Sequence, residues 1–399
     1  MEKKDEKRDK RSLLYICGVI GALAVGGICI FALPQQTYSA QENRYLTTRP
    51  QITADGIFSG EVQQDLTGAA NDQFPGRDLW MRTATTSQYL LYHRELNGVY
   101  IGKDGYLFEK VVDSDLSEEN YRKNIGFITA LREHADTEVS VMLVPTAGIV
   151  LSEQLPTRAV LYDPAPYEQL GDELCEADSV RWMTLRDDLV RTAHDSLRPL
   201  YFKTDHHWTT DGAYVGAAAY LQAHGITPAA QETYDVQVKS DRCYGTLYSK
   251  VAGLPGEKPD ELELPMQLPP EIRIETSGAP ADALSGNGTH EMPQLSGIYD
   301  LSKLDSKDKY AVYFGGNYGS LTITNPSAQT DRKLLLFKDS YANSMVPYLI
   351  GSYAQITMVD LRYYNESVSA LTEQGWDEIL VCYEMSNFIK DKNLFKILR

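Results

Sequence analysis

The sequence predicts an α/β fold with a mostly parallel sheet, carried behind one N-terminal transmembrane helix. Three observations predict it. Leu13 to Leu33 is a run of 21 residues without a charge, long enough to span a bilayer as a helix. The last part of the chain alternates strand and helix patterns with short links, which implies parallel strands joined by right-handed crossovers. The 399 residues are 43% apolar, so the chain buries a full core without disulfide staples.

The N-terminal run is preceded by Lys3, Lys4, Lys7, Arg8, Lys10 and Arg11, which places residues 1–12 in the cytoplasm and the rest outside the cell. The run exceeds the apolar region of a secretory signal, and Tyr38-Ser39-Ala40 is a poor cleavage site, so an uncleaved single-pass anchor at 13–33 is expected. The formal charge of −17 divides unevenly: six basic and four acidic residues occupy positions 1–12, leaving −19 beyond them. An acidic body excludes nucleic acid as a partner. It also means that an anionic polymer needs a local basic patch, for which Lys338 and Arg362 are the candidates. Cys175, Cys243 and Cys382 outside the run are an odd number without paired spacing, neither a disulfide framework nor a thiolate metal site.

Residues 34–70 read as a stalk, and 71–399 as the extracytoplasmic α/β domain. A helix follows near Leu79–Leu91, then a hairpin over Val99–Phe108 turning at Asp104-Gly105. Asp115 with Glu118 predicts a capped helix to about His134, and Val139–Val144 a buried strand stopped by Pro145. A helix over Arg186–Asp195 and a short strand at Leu200–Phe202 lead to an Ala-rich helix. Thr209 or Thr210 caps that helix and Gly225 ends it. Residues 251–300 hold seven of the 18 prolines, and an irregular insertion is expected over about 236–308. Within it, Asn287-Gly288-Thr289 has the glycosylation pattern. Tyr310–Phe314 resumes strand character. Strands at Lys333–Phe337, Gln355–Asp360 and Glu378–Cys382 then alternate with helices through Tyr348–Ser352 and over Asn365–Gln374.

Sites of open parallel sheets form at the carboxyl ends of strands. Three polar clusters fall there: Asp205-His206-His207-Trp208, Gly315-Gly316-Asn317 and Asp339-Ser340. These are the residue types of acyl transfer. A serine hydroxyl needs a histidine to take its proton, a carboxylate orients the imidazole, and backbone N–H groups or an asparagine amide hold the oxyanion. In an extended segment Asp205 and His207 point to one side and His206 to the other. A metal site on Asp205 and His206 or His207 stands as the alternative. It is disfavoured because consecutive residues face one ion only through an unusual turn, and no metal or cofactor is expected.

The segment Thr204–Thr209 resembles the signature of the bacterial DHHW family, together with Asp72–Asp78, Cys243–Thr246, Phe314–Gly319, Lys338–Asn343 and Asp360–Tyr364. That family resembles the SGNH-hydrolase-like acetyltransferases of alginate O-acetylation, which carry an Asp-x-His-Trp motif and a downstream Gly-Asp-Ser block. The resemblance implies a three-layer SGNH-hydrolase-like fold with permuted motif order. It implies Asp205 as acid, His207 as base and Ser340 as nucleophile of an O-acyltransferase or esterase acting on envelope or exopolysaccharide hydroxyls. It further implies a membrane-bound O-acyltransferase as partner. Asn317 and Gly316 are the oxyanion candidates, and Tyr341, Arg362 and His206 the substrate candidates. Lys338 departs from the pattern, standing where those enzymes have glycine, where it either crowds the turn or adds charge near the oxyanion. A non-catalytic binding or scaffold protein of the same fold is the other function class.

Overall fold

The computed structural model describes residues 2–39, 44–135, 137–277, 295 and 297–399. The Asn287–Thr289 pattern lies outside them, as does Ala40 of the weak cleavage site. The chain divides into two compact units, residues 1–93 with 251–255 and residues 94–250 with 256–399.

The first unit opens with a helix over Glu2–Ala32, within which Ser12–Cys29 is long and apolar enough to cross a membrane. The stalk expected over 34–70 is not irregular throughout. It holds helices at Ala54–Ser59 and Glu61–Asp72, followed by Arg77–Leu90. Thr53 caps the first by accepting the Gly56 N–H, and Gly60, with φ of +83°, turns the chain into the second. The first leaves Ile57 and Phe58 exposed, while the second buries Val62 and Ala69.

The second unit is built on a seven-stranded sheet, its strands numbered here in chain order: β1 Glu138–Val144, β2 Arg181–Thr184, β3 Arg273–Ser277, β4 Ser320–Thr324, β5 Lys333–Lys338, β6 Gln355–Val359 and β7 Glu378–Glu384. The order across the sheet is β3-β4-β6-β5-β7-β1-β2. The five strands from β6 to β2 are parallel, while at one edge β4 pairs antiparallel with β6 and β3 pairs antiparallel with β4. Side chains of central strands alternate between two cores. Leu334, Leu336, Met358 and Leu380 pack with Ala213, Ala217 and Tyr220 of helix Thr210–Ala223 and with Met345 and Leu349 of helix Ala342–Leu349. Leu335, Phe337, Val359 and Val381 pack with Ile125 and Ile128 of helix Glu118–His134 and with Phe388 of helix Met385–Lys390. The result is three layers, helices on both faces of one sheet.

Three local readings change. The helix at Glu118–His134 is capped by Ser117, whose hydroxyl accepts the Asn120 N–H, while Asp115 closes its own 3₁₀ turn on the Val112 N–H. Residues Leu200–Phe202 make a single bridge, Tyr201 to Trp208, because the chain reverses at once through the following loop. Tyr310–Phe314 is not a strand: Lys309–Val312 is a 3₁₀ turn, and Phe314, Gly315 and Gly316 all carry positive φ, which no strand tolerates. The insertion is also more regular than its prolines indicate. Val236–Cys243 and Asp260–Pro265 form an antiparallel ribbon, and β3 extends the main sheet.

Candidate active site

The three polar clusters converge at the carboxyl end of the parallel strands. Ser340 follows β5 through Asp339 and precedes the helix Ala342–Leu349, half-buried on the turn. Asp339 fixes this turn. One of its carboxylate oxygens accepts the Tyr341 N–H at 3.0 Å; the other accepts Glu384 N–H at 3.0 Å and Asn387 Nδ2 at 2.9 Å from the end of β7.

Asp205 and His207 meet, but not by the geometry expected. The segment is a tight turn rather than extended chain, in which Asp205 Oδ1 accepts the backbone N–H of His207 at 3.0 Å as well as its Nδ1–H at 2.5 Å. The same turn brings the rings of His206 and His207 to 3.9 Å instead of setting them on opposite sides. His207 Nε2 lies 2.8 Å from Ser340 Oγ, completing a carboxylate–imidazole–hydroxyl chain of hydrogen bonds. With Nδ1–H given to the carboxylate, Nε2 is the lone-pair nitrogen that faces the hydroxyl.

Side chains that sequence spacing does not connect hold this chain in place. Asp205 Oδ2 accepts Thr246 N–H at 2.7 Å and Thr246 Oγ1–H at 3.1 Å. Gly245 is what allows that approach: a Cβ on it would lie 2.2 Å from Asp205 Cβ. The ring of Tyr310 stacks on His207 at 3.8 Å and 8°, and its hydroxyl donates to the Ser340 carbonyl at 3.0 Å and lies 3.0 Å from Ser344 Oγ. Asp260 accepts the N–H groups of Lys203 and Thr204 at 2.8 Å each and Thr204 Oγ1–H at 2.6 Å, pinning the start of the loop.

Electrostatics favour one protonation state. Burial alone pushes Asp205 up, but His206 and His207 beside it and the bonds from His207 and Thr246 outweigh burial and hold its carboxyl well below the usual range. Burial, joined by repulsion from His206, lowers His207 to about 4 against the pull of Asp205. Both shifts describe an ionised carboxylate beside a neutral imidazole, which is the form that accepts a proton from serine.

The remaining expected site residues fall into two groups. Asn317 sits on the Gly315–Gly316 turn, where its Oδ1 accepts from Lys338 Nζ at 2.9 Å and Asn343 Nδ2 at 3.1 Å. Gly316 takes φ of +130°, open to glycine alone. Lys338 does not crowd the turn. It is buried, donating to Asn317 and to Asn343 Oδ1 at 2.8 Å, with Asp360 at 3.8 Å. Arg362 forks onto both oxygens of Asp360, at 2.9 and 2.6 Å. Lys338 and Arg362 therefore converge on one buried carboxylate and do not form the anticipated basic patch. Tyr341, expected at the substrate, is 1% exposed, and its hydroxyl donates to the His206 carbonyl, so it braces the loop from within. His206 is the partly exposed member, its Nδ1 2.7 Å from Thr246 Oγ1. The donor atoms of Asp205, His206 and His207 lie within 4.8 Å of one another, closer than consecutive residues were expected to come. Asp205 and His207 already have the protein partners named above.

A three-layer α/β domain with these motifs at its strand ends is an SGNH-hydrolase-like fold. Residues 99–284 match the family model of the SGNH hydrolase-like domain of acetyltransferase AlgX. Among solved structures, a DHHW family protein from Eubacterium siraeum is 19% identical over 76% of this chain and 97% of its own, with a TM-score of 0.58. Bacillus cereus PatB1 is 22% identical over 74% of this chain and 97% of its own, also with a TM-score of 0.58. PatB1 with a sulfonyl adduct gives 20% identity, 75% and 98% coverage and the same TM-score. No curated protein matches the sequence.

Proposed function

We propose that this chain is a membrane-anchored, extracytoplasmic O-acetyltransferase that passes an acetyl group to a hydroxyl of an envelope or exopolysaccharide polymer. The observation that carries the reading is the unbroken hydrogen-bond chain Asp205–His207–Ser340 at the carboxyl end of the sheet. The match to an acetyltransferase domain supports it over a binding role.

The chemistry runs in two halves. His207 Nε2 takes the Ser340 Oγ–H proton as Oγ bonds to the acetyl carbonyl carbon. The oxyanion is met by the Asn317 side-chain amide. The donor C–O bond then breaks, and the leaving oxygen takes the proton from His207. In the second half the acceptor hydroxyl gives its proton to His207 and attacks the acetyl-serine, and Ser340 leaves with that proton. Water in place of the sugar hydroxyl makes the same site an esterase. Lys338 and Arg362 are tied to Asp360 and so are not offered to an anionic acceptor, which suits a neutral polymer. A membrane-bound O-acyltransferase delivering acetyl groups from the cytoplasm is the partner such a donor side requires.

Ser340→Ala is expected to unfold at the wild-type temperature and to lose about 10³-fold or more of p-nitrophenyl acetate hydrolysis and of acetyl transfer to a soluble oligosaccharide. Phenylmethylsulfonyl fluoride is expected to label the Ser340 peptide by mass; the PatB1 sulfonyl adduct motivates this reagent. Wild-type activity in Ser340→Ala would leave the fold and remove the enzyme.

A further inference from the structure

Lys338 has no place in the two half-reactions, yet it is buried two residues before the nucleophile. Keeping an ammonium there is unfavourable unless each of its hydrogens finds an acceptor. Its neighbours are Asn317 Oδ1 at 2.9 Å, Asn343 Oδ1 at 2.8 Å and the Asp360 carboxylate at 3.8 Å. An ammonium only donates, so the atom of Asn317 that faces it is the amide oxygen. Asn343 Nδ2 donates to that same oxygen at 3.1 Å, and the Asn343 N–H bonds the Ser340 carbonyl at 3.2 Å. The Asn317 amide is thus clamped by residues on both sides of Ser340, its acceptor filled and its NH₂ turned the other way. Asn317 is itself only half-buried, on a turn that Gly315 and Gly316 shape with positive φ.

We infer that Lys338 is a positioning residue: it locks the side-chain amide of Asn317 with the NH₂ toward the reacting carbonyl, so that the oxyanion meets a preorganised donor. This rests on the acyl-transfer reading above and adds what that reading lacks, a reason for a cation at this position. Asp360 does not depend on Lys338, because Arg362 holds both of its oxygens. Removing the lysine therefore leaves no unpaired buried carboxylate. The clamp also has a pH signature. Burial, against the attraction of Asp360 and with repulsion from Arg362, lowers Lys338 to about 8. The other titratable groups facing it are Asp339 on its own turn and Cys382 across on β7, whose thiol burial keeps protonated. The charge is present below about 8 and lost as pH rises through it, so the clamp weakens on the alkaline side.

The test uses the full chain in detergent with p-nitrophenyl acetate and four variants: Lys338→Met, Lys338→Gln, Asn317→Ala and the Lys338→Met/Asn317→Ala double. Lys338→Met is expected to lower kcat about 10- to 100-fold with KM unchanged, the range of a lost oxyanion donor or less. Lys338→Gln, which returns an N–H donor without charge, is expected to recover part of this and serves if the methionine variant does not fold. The double variant should be no slower than Asn317→Ala alone, because the lysine acts through that amide. An alkaline fall in kcat near pH 8 should be present in the wild type and absent in Asn317→Ala. Unchanged kcat in Lys338→Met and Lys338→Gln, or a double variant in which the two losses multiply, would overturn the inference. Ser340→Ala run alongside separates the cases: its inactivity upholds the acyl-transfer reading whether or not the lysine acts as inferred.

Discussion

Asp205 satisfies four donors with two oxygens: the His207 N–H and Nδ1–H on one, the Thr246 N–H and Oγ1–H on the other. The four bonds fix three degrees of freedom: the turn, the imidazole tautomer and, through both bonds from Thr246, the approach of the Gly245–Thr246 segment. The consequence for His207 is measurable. An imidazole in water titrates near 6.5, whereas burial and His206 bring this one to about 4. The base form, and with it kcat/KM, should hold down to about pH 5 and fall only through about 4. Between 6.5 and 4 the unfolded chain takes up a proton that the folded protein does not, so stability should fall as pH drops through that window. His206→Ala removes the repulsion and should move the acid limb toward neutral pH. A wild-type limb near 6.5, with no shift in His206→Ala, would refute the electrostatic account of this site.

At the scale of elements, strands Lys333–Lys338, Gln355–Val359 and Glu378–Glu384 were legible because buried parallel strands read as continuous apolar runs. Ser340 stands out in the sequence because it follows the strand Lys333–Lys338, whereas Asp205 and His207 follow only the single bridge at Tyr201 and stand out by residue type alone. What the sequence hid is the support from elements with no period. Tyr310 stacks on His207 from a 3₁₀ turn that reads as a strand, since Tyr, Val and Phe at 310–314 satisfy an apolar pattern regardless of backbone. The insertion was read as irregular because prolines at 255, 259, 265, 269 and 270 mask its ribbon. Yet Asp260, the first residue of its second strand, holds the loop carrying the acid and base. Burial already raises Asp260, so its bonds to Lys203 and Thr204 oppose a desolvation cost. Asp260→Ala leaves the Lys203 and Thr204 N–H groups without their acceptor, a loss of about 1–3 kcal/mol for each buried group left unpaired, while the Thr204 hydroxyl keeps the Cys243 carbonyl at 3.3 Å. We expect a melting temperature lowered by several degrees and kcat reduced about tenfold or more by a misplaced His207. A variant with reduced stability but full kcat would show that the ribbon supports the fold and not the site.

For the whole molecule, charge and hydropathy are arranged along the chain in a way that the α/β unit alone does not explain. The first twelve residues carry net positive charge, the next 21 none, and everything after them a net of −19. A soluble helix of the length Glu2–Ala32 buries an apolar stripe, but here Leu13, Leu14, Tyr15, Ile20, Val25 and Ile28 are all exposed by half or more of their surface. An apolar helix open all round is stable in lipid and a liability in water. The lysines and arginines before the run predict a cytoplasmic N-terminus, and the proposed transfer to an envelope hydroxyl needs the acidic remainder outside. Alkaline carbonate should therefore leave the full chain in the membrane pellet. Protease added to intact protoplasts should digest the α/β unit and spare the span with its cytoplasmic tip. Release by carbonate would mean that the N-terminal helix does not span, and protection from external protease would place the serine on the wrong side for an envelope acceptor.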